Sequence, residues 1–413
     1  VNRLNRTLVG AALAALLGAS GAVAQSKEPI RLAFIDPMTG PSAILGEGAL
    51  RRYTYFIDRI NAAGGVLGGR KLEMTVFDNK NSVEETLILM KKVLDQGYHY
   101  IFQGNSSPVA YALSAALEKN YQRNPRQAAL HINISATDNG LTEDKCNWWH
   151  FRMVAPVHVM MRALVGHVAA QKGVKKVYLI NGDFAFGHSF NADAKRLLAE
   201  LAPNVQVVGE DLVPFQKVND YTPYIAKMSA AGADAILTGH FGRDLALMSK
   251  AARSADFKAR WYTFFAGQAG GVSAIGESGV GLVKQIGEWD VDARNKEWQE
   301  IAADFRRKMN DDFVSARTKY LFDMLVKAWE AAGTDDPVKV SKALSGMKIK
   351  SPEGMDVILR ADNHNLAMPL YISTMVADPK IPMEGTGFGF RLDATIPTEA
   401  SLGPTACKFT APK

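Results

Sequence analysis

Ser106, Ser107, Ser135 and Thr137 are the residues whose types and spacing best suit a chemical task. The two serines follow the short apolar run "YHYIFQG", and Ser135-Ala136-Thr137 follows "AALHINI". Hydroxyls beside free backbone N–H groups at a helix N-terminus bind an anion, and a carboxylate is the natural guest. The plainer role of Ser106 or Ser107 is to cap the helix that follows, and one residue can serve both purposes. Nothing in the chain turns these hydroxyls into nucleophiles, because no base stands in a supporting motif.

Other chemistries find no support. There is no HExxH motif, and His150, His158 and His167 are too widely spaced for a metal pair on one helix, so they read as surface or core histidines. "GGVSAIG" offers Ser273 without a nucleophile elbow or a triad order. "GDFAFG" lacks the Lys-Ser/Thr of a phosphate loop, and "GESGVG" follows no evident strand. Carboxylate pairs such as Glu84-Glu85 and Asp311-Asp312 read as solvated helix surface. The expectation is a protein with no catalytic residue, no metal and no cofactor.

The elements that must position the hydroxyls alternate between strand and helix. "IRLAFIDPMTG" reads as a strand ending in a turn. "GALRRYTYFIDRINAAGG" has helical spacing and stops at Gly64-Gly65. "SVEETLILMKKVLDQG" opens on a capping box, Ser82 with Glu85. A second run of the same rhythm starts near Ala155-Pro156, followed by long helical stretches over 296–333 and late strands. Such alternation implies an α/β fold of two doubly wound parallel-sheet lobes joined by a hinge of several strands. Lobe 1 is assigned to 25–156 plus 291–369, and lobe 2 to 157–290 plus 370–413. Hinge crossings are expected near Ala155–Val157, Trp289–Ala293 and Met368–Tyr371. In such sheets ligands sit beyond the carboxyl ends of the strands. The loops there are Pro37–Gly40, Asn105–Ser107 and Ser135–Thr137, then Gly182–Gly187, Gly239–Gly242 and Gly267–Gly271.

Bulk properties fit a folded, exported globular protein. The 413 residues are 47% hydrophobic and 22% charged, which excludes a disordered chain. Two arginines, a short apolar stretch and Ala22-Val23-Ala24 read as a secretory signal peptide over 1–24, cut before Gln25; a membrane anchor is the alternative. Without Arg3 and Arg6 the formal charge falls from +6 to +4, and no basic tract interleaved with aromatics suggests nucleic acid. Cys146 and Cys407, an isolated pair in an oxidising compartment, are expected to form a disulfide, with two free thiols as the alternative.

The segment from "IRLAFIDPMTGPSAILGEGALRRYTYFIDRINAAGG" through "INISATDNGLT", "INGDFAFG", "TGHFGRDLALMSKAARSADF" and "YLFDMLVKAWEAAG" resembles the periplasmic leucine/isoleucine/valine-binding proteins, the type I solute receptors of ABC importers. The resemblance covers nearly all of the chain after the signal. It implies a periplasmic, monomeric receptor that binds a small carboxylate between the lobes and delivers it to a membrane permease.

The resemblance also implies a ligand set. Ser106 or Ser107, with Ser135, Ala136 and Thr137, would hold the ligand carboxylate. Leu45 replaces an aromatic of the first loop, and Phe186 and Phe241 take the second-lobe aromatic places. The glutamate that pairs with the ammonium of amino-acid ligands is missing: its place falls on Gly267 or Gln268 in "FFAGQAGG". An unpaired buried ammonium is costly, so either Asp183 substitutes or the ligand lacks an ammonium. Phe184 would pack on the ligand or belong to the core, and His240 and Arg243 would meet a second polar group. The favoured ligand is an aromatic or keto acid, with branched-chain amino acids kept open. A rival reading is a sensory receptor of the same fold feeding a signalling partner; an enzyme on a doubly wound fold is another.

Overall fold

The structure is a computed structural model that describes residues 28–413. The expected signal peptide and its cleavage site lie outside the described residues.

Strand and helix alternate first as β1 (Ile30–Asp36), α1 (Ala43–Ala62), β2 (Leu72–Asp78), α2 (Val83–Asp95), β3 (Tyr100–Gln103), α3 (Ser107–Arg123), β4 (Leu130–Asn133) and β5 (His150–Arg152). The five strands form one parallel sheet in the order β2-β1-β3-β4-β5. The rhythm repeats as α4 (Val157–Ala169), β6 (Lys176–Gly182), α5 (Ala185–Leu201), β7 (Gln206–Val213), α6 (Thr222–Ala230), β8 (Ala235–Thr238), α7 (Gly242–Ser254), β9 (Arg260–Thr263), α8 (Gly271–Ile275) and β10 (Val283–Gly287). Three helices follow: α9 (Lys296–Met309), α10 (Ala316–Ala332) and α11 (Pro337–Leu344). The chain ends in β11 (Lys348–Lys350), β12 (Asp356–Leu359), β13 (Leu366–Ala367), β14 (Leu370–Ala377) and β15 (Phe388–Ile396). The second sheet runs β7-β6-β8-β9-β10-β14-β15, parallel except for its last two strands, and β11–β13 make a small antiparallel sheet.

Local chemistry sets the ends of these elements. The left-handed pair Gly64 and Gly65 closes α1, with the Gly65 N–H donating to the Ile60 carbonyl at 2.9 Å. The Ser82 hydroxyl accepts from the Glu85 N–H at 3.2 Å and starts α2. Gly46 and Gly187 lie in the opening turns of α1 and α5. A Cβ on either would sit 1.9 Å from the carbonyl oxygen of Pro37 or Gly182, so these helices can approach the strand ends only because the side chain is absent.

The late helices complete the first lobe. Phe322 of α10 stacks on Phe56 of α1 and Phe102 of β3, with ring centroids 5.9 and 6.1 Å apart, and Tyr53 packs edge-on to Phe34, Phe102 and Phe322. A segment distant in sequence thus roofs the β1–β3 face. The chain passes between the sheets at 153–156, 288–295 and 368–369. The assignment of all of 370–413 to the second lobe needs a correction. β14 and β15 pair in the second sheet, but the tail then returns to the first lobe, where Phe409 packs on Trp148 and His364. Cys407 is bridged there to Cys146.

Candidate functional site

Each parallel sheet has a switch point where loops diverge: between β1 and β3 in the first lobe, and between β6 and β8 in the second. The two switch points face one cleft. Leu45, Ser106, Ser107, Ser135, Ala136 and Thr137 line it from the first lobe; Phe184, Phe186, Phe241 and Gln268 line it from the second. Ten of the twelve ligand-contact positions expected from the sequence therefore line one cleft.

The two hydroxyl-bearing loops are built from behind by buried polar residues. Asp36, at the end of β1, accepts the Asn105 N–H at 3.1 Å and the Asn105 side-chain amide at 2.6 Å. Burial pushes its carboxyl up to about 7, against the opposing pull of the Asn105 and Gly104 N–H groups. Asn133, at the end of β4, accepts the N–H groups of Ser135 and Ala136 at 3.1 and 2.9 Å and donates to the Ala136 carbonyl at 3.0 Å. These bonds bend the chain so that Ser135 and Thr137 face the cleft.

The helix-capping role is not the one these serines play. Ser106 precedes α3 with φ of 77° and makes no side-chain cap bond. A positive φ is uncommon in a residue with a side chain, and such strain concentrates at functional sites. Among the described residues, the hydroxyls of Ser106, Ser107, Ser135 and Thr137 have no hydrogen-bond partner within the protein. The cleft lies open to all four residues.

Two predicted site residues point elsewhere. Asp183 does not line the cleft: its carboxylate is more than half exposed and meets His188 Nε2 at 2.8 Å. His240 is buried beneath the cleft, with its ring 5.5 Å from Tyr221 and its Nε2 unpartnered, and burial pulls its imidazole down to about 3. Arg243 is also turned away, donating to the carbonyls of Gln216 and Val218 at 3.2 and 3.0 Å. Neither Asp183 nor His240 is among the residues that line the cleft.

The sequence reading missed two arginines. Arg52 of α1 and Arg317 of α10 both line the cleft. Arg317 donates to Glu288, whose other oxygen takes the Ala155 N–H at 3.4 Å. Burial raises the Glu288 carboxyl, and the Arg317 charge opposes that rise. Arg52 keeps some surface toward the cleft but is otherwise enclosed by protein. Burial, with the neighbouring Arg317 charge, draws its guanidinium down to about 10, so it stays cationic at neutral pH. Phe265 and Phe215 were missed as well. Phe265 lines the cleft 5.5 Å from Phe241, which makes the second-lobe wall largely aromatic, and Phe215 packs on Phe184 at 4.4 Å without lining the cleft. Among the described residues lining the cleft there is no aspartate or glutamate.

Two lobes closing on a hydroxyl-lined cleft, joined by three crossings of the chain, define a two-lobed binding protein for a small solute. Among the described residues no helix is long and apolar enough to cross a membrane. A model of the periplasmic binding protein family matches residues 29–380, and the chain belongs to that family. The chain is 27% identical to the Leu/Ile/Val-binding protein homolog 4 of Brucella melitensis over 96% of its own length and 97% of the relative's. In three dimensions it is similar to the closed conformation of the leucine-, isoleucine-, valine-, threonine- and alanine-binding protein of Brucella ovis. That match has a TM-score of 0.84 at 25% identity, over 94% of this chain and all of the other. An R. palustris solute-binding protein in complex with 4-hydroxybenzoate shares the fold, with a TM-score of 0.76 at 19% identity over 90% and 97% of the two chains.

Proposed function

We propose that this chain is the periplasmic receptor of an ABC importer and that it carries a small carboxylate lacking an ammonium group, an aromatic or keto acid, to a membrane permease. It binds this solute without turning it over. The observation that carries the reading is the composition of the cleft wall: four unpartnered hydroxyl residues, several phenyl rings, two arginines and, among its described residues, no carboxylate. At an effective dielectric of about 20, like charges roughly 5 Å apart repel by about 3 kcal/mol. An ammonium in this cleft would meet the unpaired Arg52 cation and, among the described lining residues, no carboxylate, whereas a carboxylate meets donors. Phe184, Phe186, Phe241 and Phe265 supply stacking area for a ring or a branched chain.

The same fold serves amino acids in the Brucella ovis protein and 4-hydroxybenzoate in the R. palustris protein, so side chains make the choice. Isothermal titration with benzoate, 4-hydroxybenzoate, 4-methyl-2-oxopentanoate, leucine and valine tests it. Micromolar or tighter binding of an acid, with the acid recovered unchanged by NMR, is expected. Tight binding of leucine or valine with none of the acids would overturn the reading.

A further inference from the structure

The three arginines of α1 have different fates. Arg51 meets Asp311 at 2.8 Å and Glu47 at 3.9 Å, and Arg59 lies 3.9 Å from Asp304. Arg52 has no hydrogen bond or ion pair among the described residues, and its Nε is buried without a partner. The nearby Asp311 acts on it only at a distance, being already held by Arg51. A partly buried guanidinium left unpaired gives up hydration for no ion pair, and an anion in the cleft would supply the missing partner.

What faces Arg52 is the cleft. Gly48 lies one turn earlier on α1 and also lines the cleft, and even a Cβ there would stand 3.4 Å from Arg52 Nη1. Arg52 itself lines the cleft and keeps part of its surface exposed. Arg317 does not share this need, because Glu288 neutralises it. Arg52, Arg317 and Glu288 together leave one positive charge, carried on α1, whereas the hydroxyls sit on the loops at the start of α3 and the end of β4. A single carboxylate seated on the hydroxyls leaves that charge unmatched.

We propose that Arg52 is a second anion anchor, so that the solute is a dicarboxylate with one carboxylate at the Ser107, Ser135 and Thr137 hydroxyls and the other at the Arg52 guanidinium. This rests on the reading of the cleft as a site for an ammonium-free acid, and it narrows the substrate class. Charge-assisted pairing with arginine is the strongest contact available in the cleft, so the second carboxylate decides specificity among acids of similar body.

Titration of benzoate, phthalate, isophthalate and terephthalate into the wild type, Arg52→Gln and Arg52→Lys tests this. At least one dicarboxylate is expected to bind the wild type tenfold or more tighter than benzoate. Arg52→Gln should weaken the preferred dicarboxylate at least tenfold more than it weakens benzoate, and Arg52→Lys should keep part of the preference. Benzoate binding as tightly as every dicarboxylate overturns the inference and leaves the broader reading standing, as does an equal loss of benzoate and dicarboxylate in Arg52→Gln. Binding of leucine with none of the acids overturns both. Ligand-free melting curves show whether Arg52→Gln is folded; if it is not, the wild-type preference and its partial retention in Arg52→Lys decide.

Discussion

Asp36 holds Asn105 with both carboxylate oxygens, one on the backbone N–H at 3.1 Å and one on the side-chain amide at 2.6 Å. This grip fixes the loop that carries Ser106 and Ser107, and it has a pH signature. Burial raises the folded-state value of Asp36 to about 7, so its contribution to stability is present at low pH and lost as pH rises through 7. His131, His240 and His364 are held down to about 3 by burial, so their contributions are present above about 6.5 and lost as pH falls. Three histidines outweigh one aspartate, and the melting temperature should fall from pH 7 to pH 5. Asp36→Asn lacks the partly compensating gain of about 2 kcal/mol over that range. It should therefore fall more steeply and melt at or above the wild type at pH 8. Parallel wild-type and Asp36→Asn profiles would remove Asp36 from this role.

Thr137→Ala and Ser107→Ala should weaken binding of a carboxylate solute without changing the melting temperature of the free protein by more than a degree or two. Neither hydroxyl has a partner within the protein among the described residues, so folding loses no bond. A hydrogen bond to a charged group is worth about 1.5–3 kcal/mol, or roughly tenfold to a hundredfold in affinity. Unchanged affinity in the titration would place the solute elsewhere.

Strand-end residues were legible because a βαβ rhythm fixes where strands stop, and a switch point then says which loops face the ligand. Thr137 and Phe241 could be found that way. Arg52 and Arg317 could not. They sit on helices with the spacing of ordinary surface charges, and they meet only because α10 returns to the first lobe. Asp183 stands at the right strand end, but its side chain turns to His188 five residues on. His240 follows β8 as expected, yet packs down onto Tyr221 rather than up. Position along the chain predicts the loop; the direction of a side chain depends on neighbours that sequence order does not reveal.

Gln268→Glu restores an acid to the second-lobe wall, close to where amino-acid receptors of this family are expected to carry one. Gln268 lines the cleft, whereas the Gly267 N–H is spent on Gln285 Oε1 at 2.6 Å. The new carboxylate should repel an acid solute and weaken it tenfold or more, and should bring leucine into measurable range. Calorimetry showing stronger acid binding in Gln268→Glu would contradict the assignment of an ammonium-free ligand.

Reduction of Cys146–Cys407 should lower the melting temperature and free the C-terminal tail. The bridge links residues 261 apart, and chain entropy alone gives an upper value of roughly 5.6 kcal/mol. Noncovalent contacts retain part of the docking: Ala406 N–H and the Thr405 hydroxyl donate to Glu143 at 2.6 and 3.0 Å. Limited proteolysis of Cys146→Ser should cut beyond Ile396 before any other site. Equal resistance in the variant and the wild type would show that the tail is held without the bridge.

The loop that carries Thr137 also carries the contacts that join the lobes. Asp138 accepts the Ser189 hydroxyl at 2.6 Å, and Asn139 donates to Asp193 at 2.5 Å; Ser189 and Asp193 lie one turn apart on α5. Gln216 Nε2 donates to the Ser42 hydroxyl at 3.0 Å, adding another link. None of these six residues lines the cleft. Removing Ser189 and Asp193 contacts therefore acts on closure and not on solute contact. If the closed state is reached by a population shift, apparent affinity falls by the fraction of closed protein lost. At about 1 kcal/mol per bond, Ser189→Ala with Asp193→Ala should cost tenfold or more. The ligand-free variant should show a larger radius of gyration than the wild type by small-angle scattering, and the two should converge at saturating solute. Unaltered affinity with an unaltered radius would mean that closure does not depend on these bonds, leaving the solute's own contacts to both lobes as the force that draws them together.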